Sequence, residues 1–471
     1  MGRLNVDYGP AAQGRAADIL ARLDRLPGTR HVWMLITLLS LGGMFELYDL
    51  FMTAYVVPGL MKAGLLKDVS VSIFAGPALF VAATFTGLFI GTCAFGYVAD
   101  KYGRRTVFTY SMLWYSAATF VMAFQDTGLG VSLWRLIAGI GIGVELVTID
   151  TYVSELVPKS IRGRAFAFNQ GVMFSVVPIV AFIAYMLVPI SPFGVDGWRW
   201  VVLIGSTGAL AVWFIRRSVP ESPRWLINQG RLDEADAVTT AIEAKVRSDL
   251  KGAALATPGS HSVEKAEALG RFAEIFAPRY RGRTFMLMIF QFFQTFGFYG
   301  FAAWVPTLIA QQTGINVGQS LLYSFIIAIA NPFGPLLAMT FADKFERKWQ
   351  LVAAACCIGI FGIMFSFQNT MPLLILFGVL ITLSNNILSY SFHNYQAELF
   401  PARIRARAVG FTYSLSRLSA IFASFIIGFF LQTAGTKGVF GLIAGAMVIV
   451  VVTISIWGPP TLDRELEEIS K

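Results

Sequence analysis

The chain has 471 residues, of which 56% are hydrophobic and only 14% charged, and its net charge at pH 7 is +9. A soluble domain carries about 25% charged residues, so this composition excludes an ordinary soluble enzyme, and 41 Phe with 10 Trp exclude a disordered chain. Three cysteines in apolar segments exclude a disulfide scaffold and match no metal-ligand spacing: Cys93, Cys356 and Cys357.

In chain order, the first predicted element is a polar amphipathic helix at 12–26, and no cleavable signal peptide is expected. Twelve membrane-spanning helices follow, because a bilayer core of about 30 Å needs about 20 mostly apolar residues per helix. The predicted spans are 32–60, 73–99, 106–124, 130–155, 164–189, 197–215, 283–311, 319–342, 349–367, 371–396, 408–432 and 437–458. A polar segment with a predicted helix at 231–250 separates the sixth span from the seventh.

The fold class is therefore all-α integral membrane, with twelve transmembrane helices in two six-helix, pseudo-symmetric bundles and helices in the cytoplasmic linker. The predicted segments are a cytoplasmic N-terminal segment, an N-terminal bundle, a cytoplasmic linker, a C-terminal bundle and a cytoplasmic tail. Their bounds are 1–31, 32–215, 216–282, 283–458 and 459–471.

Lysine and arginine set the predicted orientation, because they accumulate on the cytoplasmic side of membrane proteins. With both termini cytoplasmic, nearly all basic residues fall inside, notably in the loops 100–105, 159–164, 344–348 and 403–407. Those outside are Lys62, Lys67, Arg199 and Lys437, while Arg135 and Arg417 lie within spans. The basic excess thus reflects topology in the plasma (inner) membrane, and no nucleic-acid partner is expected.

The two halves of the chain repeat each other at a constant offset of 243 residues. Asp100-Lys-Tyr-Gly-Arg104-Arg105 corresponds to Asp343-Lys-Phe-Glu-Arg347-Lys348, and Glu155-Leu-Val-Pro-Lys-Ser-Ile-Arg162 corresponds to Glu398-Leu-Phe-Pro-Ala-Arg-Ile-Arg405. Two motifs with one offset indicate duplicated six-helix halves of the same orientation. This architecture places a binding site at the membrane midplane between the halves, with alternating access by rocking.

These motifs resemble the major facilitator superfamily, and the resemblance covers nearly the whole chain. The loop 96–105 resembles the superfamily signature between helices 2 and 3, while Arg135 with the following glycines and the segment Pro220–Leu226 resemble its sugar-porter branch. Glu46-Leu-Tyr-Asp49 is similar to the acid-x-x-acid motif of aromatic-acid and related metabolite:proton symporters, with Glu in place of the usual first Asp. Trp304-Val-Pro306 and Arg417-Leu-Ser resemble the same group, which includes niacin-type and synaptic-vesicle-glycoprotein-like carriers.

Ionisable residues within spans are costly and therefore mark function. Glu46 and Asp49 share one helix face, and Arg135 lies at a similar depth to Asp49. Asp49 is interpreted as the proton acceptor and Arg135 as its partner; a static buried ion pair is the alternative. Glu46 is interpreted as a second protonation site or a substrate ligand, with a neutral, hydrogen-bonded acid as the alternative.

Arg417 lies near the midplane, where its planar guanidinium suits a carboxylate; a structural Arg is the alternative. The other predicted substrate-binding residues are polar or aromatic side chains of the first, seventh and tenth spans: Tyr48, Gln291, Gln294, Tyr299, Trp304, Asn385 and Asn386. Glu145 and Asp150 lie lower on the fourth span, and Asp150 and its repeat counterpart His393 are expected to be polar groups of the inner gate rather than ligands.

The resemblance implies that opposite charges in the cytoplasmic loops form a gate that closes this side and breaks when the carrier opens inward; solvated topological signals are the alternative. Several modest ion pairs give such a gate two stable states. Its predicted members are Asp100, Arg104, Arg105, Glu155, Arg162, Asp343, Arg347, Glu398 and Arg405.

The function predicted from the sequence is secondary active, proton-coupled symport of a small organic acid, with an aromatic carboxylate as one candidate. A sugar or polyol is the first alternative, and an organic cation or a non-transporting sensor is a further one. No Walker A motif, nucleophile–base set or metal cluster occurs, so neither ATP-driven pumping nor an enzyme is expected, and no cofactor is expected. The expected partners are the substrate, protons and the lipid bilayer, and the expected functional unit is a monomer.

Overall fold

The structure, a computed structural model, describes residues 10–67, 70–71, 74–95, 98–158, 161–208, 218–251, 255–257, 272–341, 344–400 and 402–461. In the N-terminal half the helices are α1 Pro10–Asp24, α2 Arg30–Lys62, α3 Gly76–Phe95, α4 Val98–Tyr102, α5 Arg104–Met122, α6 Gly128–Leu156, α7 Arg162–Phe174, α8 Val176–Leu187 and α9 Gly197–Ser206. The linker has α10 Pro223–Asn228 and α11 Leu232–Asp249. The C-terminal half has α12 Arg281–Ala302, α13 Val305–Thr313, α14 Val317–Ala328, α15 Phe333–Phe341, α16 Arg347–Ser366, α17 Met371–Glu398, α18 Ala402–Thr433 and α19 Gly435–Trp457.

The predicted all-α fold class is confirmed. Ten helices of the described ranges are long and apolar enough to span a membrane. The third predicted span is the more polar helix α5, and the sixth begins as α9 and runs out of the described residues. The second span starts at Gly76 rather than 73, because Ser70–Val71 and Phe74–Ala75 pair as a two-residue antiparallel hairpin.

Three predicted spans contain an interruption, although Arg164–Leu187 and Val317–Ala338 are each long and apolar enough to cross a membrane as one span. The fifth, seventh and eighth spans are interrupted after Phe174, Ala302 and Ala328. In each case a proline follows four residues later: Pro178, Pro306 and Pro332. A proline ring clashes with the carbonyl four residues before it and donates no hydrogen bond, so each helix ends at that carbonyl.

The halves meet where α2, α3, α7 and α8 contact α13, α18, α15 and α14, respectively. Within the N-terminal half, α3 and α6 pack closely because small residues face each other. A Cβ atom on Gly143 would come within 2.3 Å of the Leu88 carbonyl oxygen, and one on Gly91 within 2.1 Å of that of Ile140. Small residues allow membrane helices this close approach, and it fixes α6, which carries Arg135.

The linker helices lie at one end of the bundle, which we term the linker side. There α1 runs alongside α11, with an apolar contact that includes Ile19, Leu20 and Trp225. Arginines of α1 pair with acids of α11: Arg22 with Asp236 at 2.6 Å, and Arg22 and Arg25 with Glu243 at 2.8 and 2.7 Å. The N-terminal segment is thereby attached to the linker.

Candidate functional site

A buried ion pair lies inside the N-terminal half, between α2 and α6. An Nη1 atom of Arg135 donates to Oδ2 of Asp49 at 2.7 Å, and Nη2 donates to the Asp49 carbonyl at 2.5 Å. Both side chains are fully buried. The sequence placed these two residues at similar depth, and the structure brings them into contact.

Three threonines complete this pair and were missed by sequence reasoning. Arg135 also donates from Nη2 to Thr53 Oγ1 at 2.7 Å and from Nε to Thr84 Oγ1 at 3.1 Å, while the Thr119 hydroxyl donates to Asp49 Oδ1 at 2.9 Å. A signal existed for Thr53, which follows Asp49 by one helical turn and therefore shares its face. Both charges are thus hydrogen-bonded, as a pair removed from water requires.

The second buried cation, Arg417 on α18, is held without a carboxylate contact. Its Nη1 donates to the Tyr299 hydroxyl, its Nη2 donates to the Tyr413 hydroxyl at 2.9 Å, and the Tyr413 ring centroid lies 4.9 Å from the guanidinium. Among the described ion pairs none includes Arg417, and its Nε lacks a hydrogen-bond partner there. Glu46 of α2 attracts Arg417 electrostatically across the interface between the halves.

A small cavity of ≈ 10 Å³ is lined by hydrogen-bond partners of both cations. Tyr299, which holds Arg417, lines it together with Phe85, and their rings meet edge to face at 4.7 Å. Thr53 and Thr84, which hold Arg135, line it as well. A ligand or water in this space would contact partners of both arginines.

A larger cavity of ≈ 30 Å³ lies between the halves, at the three broken helices. Its polar lining comprises Tyr55, Ser324, Asn331, Thr382, Asn385 and Asn386. Asn386 donates from Nδ2 to the Asn331 carbonyl at 3.3 Å, whereas the Asn385 Oδ1 has no hydrogen-bond partner within the described ranges. The space is sufficient for a few waters, so the halves must separate to admit a metabolite.

Five predicted substrate-binding residues do not line either cavity, and Arg417 is one of them. The Tyr48 hydroxyl donates to the Val201 carbonyl at 3.0 Å inside the N-terminal half, and Trp304 is buried against Gly428. The amide of Gln294 donates to Gln291 Oε1 at 3.3 Å on α12. Asn385, Asn386 and Tyr299 are cavity residues, and Asn331, which precedes Pro332, was missed although an Asn-Pro pair signals a break.

The predicted loop charges include an ion pair in each half, and the two pairs are related by the 243-residue offset. Arg104 Nη2 lies 2.9 Å from Glu155 Oε1, and Arg347 pairs with Glu398. The backbone N–H groups of Arg104 and Arg105 donate to Glu221, a residue the sequence analysis did not single out. Asp343 and the side chains of Asp100, Asp150, Arg162 and Arg405 lie outside the described residues.

The repeat extends to a pair of tyrosines that sequence reasoning missed. Tyr152 donates to the Pro220 carbonyl at 2.5 Å, and its counterpart Tyr395 donates to the Pro459 carbonyl at 2.8 Å. Each bond holds the segment after the last helix of its half against the linker side. His393, expected near the inner gate, is exposed, and its Nδ1 lies 2.7 Å from the Ser389 carbonyl oxygen.

Comparisons with known proteins match the whole length of the chain. The profile of the Sugar (and other) transporter family matches residues 35–471. A Bacillus subtilis protein named as a metabolite transport protein, YyaJ, is 30% identical over 94% of this chain and 96% of its own length. The niacin transporter NiaP of Acinetobacter baylyi is 28% identical over 96% of this chain and 99% of its own. The xylose transporter XylE of E. coli, solved in an inward-open conformation, superposes with a TM-score of 0.71 at 19% identity, over 93% of this chain and 99% of that one.

Proposed function

The chain belongs to the Sugar (and other) transporter family, a branch of the major facilitator superfamily, and on that premise we propose that it is a proton-coupled symporter of a small organic acid. It is a transporter and a multi-pass integral membrane protein rather than an enzyme. The proposal adds the driving ion, the substrate class and the residues that carry them. The resemblance of the motifs to this superfamily is confirmed by the family match.

The contacts of Arg417 are the observation that supports an organic acid as the substrate. Its guanidinium is buried and held by two neutral phenols, and it lacks an ion-paired carboxylate among the described residues. A buried cation is stabilised by an anion with matching geometry, and a substrate carboxylate would accept from the guanidinium, whose Nε has no hydrogen-bond partner among the described residues. An aromatic carboxylate would also pack against the phenol rings. The niacin transporter named above supports this class.

The proton-coupling step follows from the Asp49–Arg135 pair. When a proton binds the Asp49 carboxylate, the charge attraction to Arg135 is lost, and Arg135 keeps only its bonds to the Asp49 carbonyl, Thr53 and Thr84. Because both threonines line the cavity next to Tyr299, a shift of Arg135 changes the space in which the substrate is held. Occupancy by proton and by substrate are thereby linked.

Alternating access is proposed to occur by rocking of the two halves about this cavity, with the Arg104–Glu155 and Arg347–Glu398 pairs opening on the linker side. The excess of Lys and Arg on that side supports a cytoplasmic location for it and for both termini, in the plasma (inner) membrane. We expect the monomer in the lipid bilayer to be the functional unit, since each chain contains both halves of the cavity.

A sugar or polyol is the second candidate, because the larger cavity is lined by uncharged amides and hydroxyls rather than by charges. Proteoliposomes with an imposed proton gradient separate the two. We expect radiolabelled benzoate or nicotinate to accumulate and D-xylose to be excluded. If D-xylose accumulates and neither benzoate nor nicotinate does, the substrate is a sugar rather than an organic acid. Accumulation that does not depend on the proton gradient would refute proton coupling.

A further inference from the structure

Glu145 on α6 is an acid that the proposed mechanism leaves unused. Its side chain is fully buried, and neither carboxyl oxygen has a hydrogen-bond partner among the described residues. It lies ten residues after Arg135, or about 15 Å further toward the linker side along α6. The structure surrounds it with the interior of the N-terminal half.

The neighbours of Glu145 are another acid and a phenol. Glu46 lies on α2, which packs against α6, and its carboxyl group interacts electrostatically with that of Glu145. The hydroxyl of Tyr115 on α5 is buried and has no hydrogen-bond partner in the described ranges. It interacts electrostatically with Glu145, Glu46 and Asp49. At about this level the side chains of Leu88 on α3 and Met173 on α7 are apolar. The described charged side chain of α7, Arg164, lies at the linker-side end of that helix.

Glu145 cannot be ionised in such surroundings while Glu46, which also faces the Arg417 cation, carries a negative charge. An ionised carboxylate without a hydrogen-bond donor costs several kcal/mol in an apolar interior, and a second negative charge nearby adds to that cost. At least one of the two acids therefore carries a proton in this conformation. Glu46 is also one helical turn from Asp49 on the same face of α2, so the three acids form a series that descends from the Asp49–Arg135 pair.

We propose that Glu145 is a proton-binding site that exchanges its proton with Glu46, so that the two acids form a relay from Asp49 toward the linker side. The proton leaves the Asp49 carboxylic acid for the Glu46 carboxylate and then passes to Glu145, with Tyr115 beside the path. Neither glutamate lines the two described cavities. This inference rests on the proposed proton coupling.

Infrared spectroscopy of the purified protein tests the site without any substrate. We expect the wild type at neutral pH to show the C=O stretch of a protonated carboxyl group, which shifts in D2O. Glu145→Gln should lose that band, and the control Glu155→Gln, an acid of the same helix that is ion-paired with Arg104, should keep it. A band of unchanged size in Glu145→Gln would overturn the proposal.

Folding of the variant is checked by size-exclusion chromatography. Glutamine has the shape of the protonated acid, so Glu145→Gln should fold. If it does not fold, the infrared spectrum of Glu46→Gln is the second test, because removing the neighbouring charge should change the frequency or the intensity of the Glu145 band. An unchanged band in Glu46→Gln would refute the pairing of the two acids.

Transport provides the readout for the relay. With whichever probe accumulates (benzoate, nicotinate or D-xylose), we expect Glu145→Gln to slow proton-driven accumulation by roughly a hundredfold, the lower end of what a positioned proton-transfer group contributes, while counterflow exchange is retained. A wild-type rate of accumulation would refute the relay and leave the proposed function intact. If none of the probes accumulates in the wild type, the proposed function fails, and the infrared band alone decides whether Glu145 binds a proton.

Discussion

Removing Arg135 should be far more damaging than removing Arg135 and the Asp49 charge together. In Arg135→Gln the Asp49 carboxylate stays buried, with the Thr119 hydroxyl as its one remaining described donor. Removing one partner of a buried ion pair costs about 3–5 kcal/mol, because the other charge is left uncompensated. Asp49→Asn on that background removes the stranded charge, so the double variant should regain about 2–3 kcal/mol, the upper range of coupling between residues in contact.

The assay is unfolding of the purified protein by SDS in mixed micelles, followed by loss of helical circular dichroism. Asp126→Asn is the matched control, since Asp126 pairs with Arg199 at 2.6 Å but is 85% exposed. An exposed pair contributes about 0–1 kcal/mol. The reasoning is refuted if Arg135→Gln costs no more than Asp126→Asn, or if the double variant is no more stable than Arg135→Gln.

The same pair has a transport prediction. Asp49→Asn keeps the shape of the side chain and its bond with Thr119 but removes the proton-binding carboxylate. We expect the variant to lose accumulation driven by a proton gradient and to retain counterflow exchange in proteoliposomes. Full active uptake by Asp49→Asn would show that the pair is a static element of helix packing.

Three further predictions concern other sites. Arg417→Lys loses the planar fork and should weaken benzoate binding by roughly ten- to a hundredfold in a thermal-shift titration, since hydrogen bonds to a charged group contribute about 1.5–3 kcal/mol; unchanged affinity would indicate a structural arginine. Gly103→Ala should destabilise the protein by about 1–3 kcal/mol, because φ is +100° there and a Cβ would lie 2.3 Å from a Glu221 oxygen; Gly171→Ala, with open space around it, is the control and should cost nothing. Burial raises the pKa of Glu243, but hydrogen bonds from Arg22 and Arg25 hold it below its ordinary value overall, so the contribution of this pairing is present above the ordinary carboxyl pKa and is lost as pH falls through the lowered one. Hydrogen exchange should therefore find α1 protected at neutral pH and released only in acid, below the ordinary carboxyl pKa, and equal protection in Glu243→Gln would contradict this.

The sequence by itself determined the class, the duplication and part of the charge pairing. Apolar stretches of membrane-spanning length leave no other fold for the backbone than helices in a bilayer. The constant offset predicted corresponding elements, and the structure contains the Arg104–Glu155 pair and its repeat, Arg347–Glu398. Depth along two helices was enough to bring Asp49 and Arg135 together, because helical rise is regular.

Only the tertiary structure decided which side chains face which space. In a helix that is apolar on all sides, hydropathy has no period that distinguishes the cavity face from the lipid face, so Tyr48 and Trp304 could not be separated from Tyr299. The cavity forms where three helices break at their prolines, and it includes Asn331, whose partner Asn386 lies 55 residues away along the chain. The surroundings of Glu145 arise from α2, α5 and α6 together. Proximity between side chains of different helices depends on the rotation and packing of each helix, and those are properties of the assembled bundle.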